Sequence, residues 1–245
     1  RVAFWLSALI VILGWYIRTK VEDSAIFKES EHEAPHAENT WQAIKRIFRT
    51  HPRQVLTAMG LRVCENILYY LVVTFSLPYL GVYLGVETST ILTLMLISHA
   101  IHAVAIPLFG WLSDIVGRKP VYVVGTVLTG VWGFVAFPMF NTRQEVLILT
   151  AITIGLLIQG IMYAVQPALL AEMFPTHMRY IGVSLGAQVT NIFAGALAAV
   201  IATWLLRTFD SWVPIAVYLA IAALITFIAA LLLRETRGTS LTALD

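Results

Sequence analysis

Arg62, Glu65, Asn66 and Tyr69 stand at helical spacing inside an apolar run covering residues 54–84. Positions i, i+3, i+4 and i+7 share one stripe of a helix, and Val73 extends that stripe by another turn. At 1.5 Å per residue, Arg62 and Glu65 lie roughly 12–17 Å into the segment. Ionisable groups at that depth are costly and mark function by default. A guanidinium there suits a carboxylate ligand, because its planar fork donates two parallel hydrogen bonds. A carboxyl beside it can take up and release a proton, its charge decided by burial against the neighbouring cation. The alternative is an intrahelical pair at i,i+3 whose two charges simply neutralise each other.

Other polar groups gather on later apolar runs. Gln159, Tyr163 and Gln166 share one helical face next to Pro167, where a freed backbone carbonyl can meet solute. Ser184, Gln188 and Asn191 share another, while Gly182 and Gly186 occupy a different face suited to close packing. His99 and His102 are spaced i,i+3. A metal would need a third and fourth ligand that the pattern does not supply. No metal and no cofactor are expected, and polar helix packing is favoured over a proton relay. Residues 182–186, GVSLG, satisfy the G-x-S-x-G pattern of serine hydrolases, with His99 as a conceivable base. That elbow requires a preceding strand, and this segment opens a helix, so an intramembrane hydrolase is a remote alternative.

The elements that must position these groups are membrane spans. The chain of 245 residues is 59% hydrophobic and only 12% charged, and its mean hydropathy is +0.81. A soluble domain carries roughly twice that charge. Apolar runs at 2–17, 54–84, 89–112, 120–140, 146–173, 180–206 and 213–233 each approach the ~20 residues a helical span needs. Nothing alternates with period two over ten-residue blocks, which excludes barrel strands. The fold class expected is all-α, polytopic, with seven transmembrane helices. Pro78, Pro107, Pro138 and Pro167 fall within the spans or near their ends, where kinks are tolerated. The lone Cys64 excludes a disulfide framework, and a net charge of +2 gives no reason to expect nucleic acid. The chain opens on Arg1 against an apolar run, without a signal-peptide layout, as the later part of a longer protein would. A retinal protein is disfavoured because the last run contains no lysine.

Lysine and arginine set the orientation. Arg18, Lys20, Lys28, Lys45, Arg46, Arg49, Arg53, Arg118, Lys119, Arg179, Arg234 and Arg237 fall on one side, against Arg1, Arg143 and Arg207 on the other. The richer side, with the C-terminus, is expected in the cytoplasm. The connection 18–53 is the one long hydrophilic stretch, and its middle, KESEHEAPHAEN, is expected to be mobile. Its end, near 41–49, places Trp41, Ile44, Ile47 and Phe48 opposite Lys45, Arg46 and Arg49, as in a short helix on the inner leaflet. Residues 54–234 then form a six-helix bundle, and 235–245 a cytoplasmic tail.

One connection carries a pattern of its own. Residues 110–120 read GWLSDIVGRKP, and a solvated turn that only sets topology would not need an aspartate beside two glycines at this spacing. The stretch resembles the loop signature of the major facilitator superfamily, G-x-L-x-D-R-x-G-R-R, with Ile115 where a cation is usual. Gly110 would let two helices approach, Gly117 would permit the turn, and Asp114 could accept from amides and cations. GWYIRTKVEDSAIF resembles the signature that follows helix 6 in the metabolite:proton symporters, with Ala25 in place of proline. LRVCENILYYLVVTFSLPYL is similar to their helix 7, EMFPTHMRYIGVSLG to their helix 10–11 junction, and LLRET to the end of helix 12. The resemblance implies helices 6 to 12, so residues 1–17 would be helix 6 and the N-terminal half a partner. It implies a cytoplasmic gate of Gly110, Asp114, Gly117, Arg118, Lys119, Glu172 and Arg179. It also implies a proton-coupled symporter in a bacterial inner membrane, working by alternating access and needing no cofactor. The pathway would run along Arg62, Glu65, Asn66, Tyr69, His99, Gln159, Tyr163, Gln166, Gln188 and Asn191. The solute would be a small carboxylate of the oxoglutarate, citrate or shikimate kind, or else a zwitterionic osmolyte such as proline or betaine.

Overall fold

The computed structural model of the chain describes residues 2–20, 40–174 and 179–233. The middle of the first connection, the side chain of Arg179 and the tail beyond 233 lie outside the described residues. Every regular element among those described is helical. Helix α1, Val2–Lys20, belongs to a unit of its own, and the remaining helices form a second unit.

The second unit begins with α2, Thr40–Thr50, which buries Ile47 and exposes Lys45, Phe48 and Arg49. Helix α3, Pro52–Tyr83, follows after His51, with proline at its first turn, where the missing N–H costs nothing. Then come α4 (Thr88–Val116), α5 (Arg118–Asn141) and α6 (Glu145–Glu172). Helix α7 runs through Arg179–Thr190, Asn191–Ala196 and Leu197–Phe209, and α8 is Val213–Leu231. Among the described residues, six helices, α3 to α8, are long and apolar enough to cross a membrane.

Two of these spans are not plain α-helices. Helix α3 carries π-helical turns at Leu71–Phe75 and Tyr79–Tyr83, and α7 carries one at Asn191–Ala196. Such turns insert one extra residue into the ladder and are frequent at functional sites. Tyr70, just before the first of them, and Asn191, which opens the last, both reappear in the site below.

Short connections make sequential spans antiparallel. One face of the bundle holds the start of α3, the α4–α5 turn, the ends of α6 and α8 and the start of α7. Lys119 ties part of that face together by donating to the Leu231 and Leu233 carbonyls at 3.1 and 2.5 Å. At the opposite face, Tyr79 donates to Asn141 at 2.8 Å and Tyr83 to Asp210 at 3.0 Å.

Helix α3 is the most enclosed span, packed by α6, α7 and α8, with α5 closing on α6 and α8. Lipid supplies no hydrophobic drive between helices, so close approach of small residues and side-chain hydrogen bonds must hold them. A Cβ at Gly60 would meet the Ala229 methyl at 2.9 Å, which brings α3 against α8. There the Thr226 hydroxyl donates to the Gly60 carbonyl at 2.7 Å and accepts from the Cys64 amide at 3.1 Å. Gly155 admits the Trp132 ring, which donates to the Ala151 carbonyl at 3.1 Å.

Gly155→Ala should lower the midpoint of thermal unfolding in detergent. Its Cβ would sit 2.8 Å from both the Trp132 ring and the Val72 side chain. Overpacking of this kind costs about 1–3 kcal/mol. Gly110→Ala is the control, since nothing among the described residues lies within 4 Å of a Cβ there. Equal midpoints for the two variants would sink the argument.

Candidate functional site

The polar stripe of α3 faces a cleft of about 400 Å³. Arg62, Glu65, Asn66, Tyr69 and Tyr70 line it from α3, His99 and His102 from α4, Gln159 and Tyr163 from α6, and Asn191 from α7. Four spans therefore converge on one polar hollow in an otherwise apolar bundle, the arrangement expected of a small-solute site.

Arg62 is held by neighbours on two other helices. Its Nη1 donates to Gln166 Oε1 at 2.6 Å, and its Nη2 donates to Asn191 Oδ1 at 3.2 Å. Gln166 is fixed in turn, because its Nε2 donates to the Tyr122 hydroxyl at 3.2 Å while Tyr122 donates to the Leu61 carbonyl. That chain starts and ends on adjacent residues of α3, so it clamps the guanidinium without using its Nε–H. The Nε is buried and has no hydrogen-bond partner among the described residues.

Glu65 is 3% exposed. Gln159 donates its Nε2–H to Glu65 Oε1 at 2.5 Å. Arg62 Nη2 stands 3.8 Å from Glu65 Oε2, close enough for charge attraction and too far for a hydrogen bond. The pair therefore leaves donor and acceptor capacity unspent, unlike a closed pair that serves only to neutralise itself. Asn66 donates its side-chain amide back to the Arg62 carbonyl at 3.0 Å.

The other expected pathway residues divide. His99, Gln159, Tyr163 and Asn191 line the cleft, and Gln166 stands behind Arg62. Gln188 is exposed and is not among the lining residues, because the face it shares with Ser184 turns away before the π segment begins. Val73 likewise drops out of the stripe, since it falls inside the first π turn. His102, Tyr70 and Tyr122 are additions. The i,i+3 spacing of the two histidines hinted at the first of these; Tyr70 and Tyr122 gave no signal.

Around the α4–α5 turn, Gly117 has φ 113°, a conformation that favours glycine, and it starts α5. Arg118 pairs with Glu172 at the end of α6, and its Nη2 lies 3.8 Å from Asp114 Oδ1. Glu172 is the enclosed partner, its side chain 12% exposed against 68% for Asp114. Lys119 is drawn off to cap α8. Gly110 does not serve a close helix contact in this chain, since nothing described lies against it. Ser184 sits within the helical segment Arg179–Thr190, with Gly182 against the Phe174 ring and Gly186 against Ala58. That geometry is helix packing and lacks the strand and strained turn of a nucleophile elbow.

The comparisons with known proteins agree with this architecture. The family model described as sugar (and other) transporter matches residues 12–245. The chain is 29% identical over 242 residues to the shikimate transporter of Escherichia coli (strain K12), covering 97% of this chain and 54% of that protein. It is 30% identical over 246 residues to an inner membrane metabolite transport protein of the same organism, covering 98% of this chain and 55% of that protein. To the proline/betaine transporter of that organism it is 27% identical over 243 residues, 96% of this chain and 48% of the relative. The chain spans about half the length of the curated relatives it matches. No solved structure gives a significant match. On the six spans, the polar cleft and the family match, the chain belongs to the major facilitator superfamily of membrane transporters, in its sugar (and other) transporter family, and is not an enzyme.

Proposed function

We propose that this chain is the C-terminal half of a proton-coupled symporter for a small organic acid. One observation carries the reading: a guanidinium clamped by Gln166 and Asn191 over a polar cleft, with a buried carboxyl 3.8 Å away. Arg62 meets the solute carboxylate, and Glu65 carries the coupled proton. The bundle rocks against an N-terminal half, supplied by the rest of the transporter, around a site near the midplane. The basic face lies in the cytoplasm of a bacterial cell, with α1 as an additional span, and there Arg118, Glu172 and Asp114 act as a gate. The partners are solute, proton, lipid bilayer and the N-terminal half.

A zwitterionic osmolyte is the second reading. Tyr69, Tyr70 and Tyr163 line the same cleft, and aromatic faces attract quaternary ammonium groups. The proline/betaine transporter among the relatives supports it.

The test is uptake by the full-length parent transporter in proteoliposomes, using labelled mono-, di- and tricarboxylates, proline and glycine betaine. Accumulation of a carboxylate that a protonophore collapses is expected. Accumulation of betaine or proline alone would select the second reading. Accumulation of any solute that persists undiminished with protonophore would remove proton coupling.

A further inference from the structure

On the α4 side of the cleft, His102 is 8% exposed and turns its Cδ2–Nε2 edge to α6. A Cβ at residue 160 would lie 3.0 Å from both ring atoms, so Gly160 leaves the imidazole room against the α6 backbone. One residue earlier, Gln159 gives its donor end to Glu65 Oε1 at 2.5 Å and lines the same cleft as His102. Neither Gln159 Oε1 nor His102 Nε2 closes a hydrogen bond among the described residues. Two buried polar atoms without a partner beside one cleft are expensive in a lipid-embedded bundle. A contact between them in another protonation state would satisfy both.

An amide has one donor end and one acceptor end, and a half-turn exchanges them. With Glu65 ionised, the donor end must face the carboxylate, and the acceptor end asks His102 for an Nε2–H. With Glu65 protonated, its O–H donates to the amide oxygen instead. The NH₂ end then turns to His102, which must offer a bare nitrogen.

We propose that His102 is a second proton-binding position of this transporter, linked to Glu65 through the Gln159 amide, so that the two hold one exchangeable proton between them. This rests on the reading of Glu65 as the coupling carboxyl. The two states are carboxylate with imidazolium, and carboxylic acid with neutral imidazole. Each carries the same single proton; the amide keeps its own two hydrogens as it turns, and the proton itself passes between the two groups by way of water entering the cleft. The charged and titratable groups that share the cleft with His102 are Arg62, Glu65, Tyr69 and Tyr70 on α3, Tyr163 on α6, and His99 on its own helix. His99 is engaged through Nδ1 with the Met95 carbonyl at 2.8 Å, its ring centre 6.4 Å from that of His102.

The experiment is ¹⁵N imidazole spectroscopy of the full-length transporter, with the His102 signal identified by its loss in His102→Asn. Glu65→Gln should move the His102 titration midpoint by about one pH unit or more, as linked sites do. In a Gln159→Leu background, or Gln159→Met should the first variant not fold, that effect of Glu65→Gln should vanish. An unmoved midpoint in Glu65→Gln overturns the proposal. So does a shift that persists in full without the amide, since that is direct attraction between charges. Because the measurement needs no transport, the link can be found in a protein whose accumulation ignores protons. That result would overturn proton coupling at Glu65 and leave only the amide link between the two side chains.

Discussion

Glu65→Gln should still exchange solute across the membrane but no longer concentrate it under a proton gradient. Glutamine keeps the shape of the side chain and an oxygen that can accept from Gln159, so the buried contact at 2.5 Å survives. What is lost is the group that can be charged on one side and neutral on the other. The size of the loss follows from the driving force. One proton moving with a neutral solute gains about 2.3 kcal/mol per 100 mV, which sustains roughly a 50-fold gradient. If the solute carries one negative charge the electrical share cancels, and about tenfold per pH unit remains. Counterflow and gradient-driven uptake, measured side by side in the full-length transporter, separate the two activities. Full accumulation by Glu65→Gln would move the coupling site elsewhere.

Arg62→Ala should be the most destabilising single change in the cleft, and the reason is its partner. Glu65, 3% exposed, would lose its nearby cation, and removing one member of a buried ion pair costs about 3–5 kcal/mol. The acceptor atoms of Gln166 and Asn191 would be stranded as well, at about 1–3 kcal/mol for each that stays buried. Arg62→Gln/Glu65→Gln removes both charges and should recover most of that loss in detergent thermal unfolding, without recovering uptake. A double variant as unstable as Arg62→Ala would show that the charge is not the cause. A double variant that also transports would make the pair purely structural. Arg62→Lys should fold but bind carboxylate poorly, because an ammonium cannot reproduce the fork.

Six of the seven expected spans, α3 to α8, were legible because lipid imposes length and apolarity on any helix that crosses it. The stripe of Arg62, Glu65, Asn66 and Tyr69 was legible because it lies wholly before the first π turn, where a regular wheel holds. Which residues meet across helices was not. Gln166 belongs behind Arg62 and Gln159 beneath Glu65, although both looked equivalent on the face of α6; relative depth and rotation decide, and neither has a period. Tyr122 was invisible because its use is to bridge Gln166 and the Leu61 carbonyl, a backbone atom. Gln188 was misplaced for the same reason: it lies on the regular helix Arg179–Thr190, and the rotation of that helix away from the cleft has no period either. Gly110 had a motif to explain it, yet a motif names a residue without saying what should stand against it.

The surplus residue in each π segment has a consequence for how this chain is compared with others. In an ordinary span, losing one residue rotates everything beyond it by about 100° and turns a polar stripe towards lipid. At Leu71–Phe75, Tyr79–Tyr83 and Asn191–Ala196 the backbone already holds one residue more than an α-helical turn needs. A deletion there restores a plain turn and leaves the helical phase on both sides intact. Where a relative is one residue shorter in these spans, the gap belongs inside one of those three stretches.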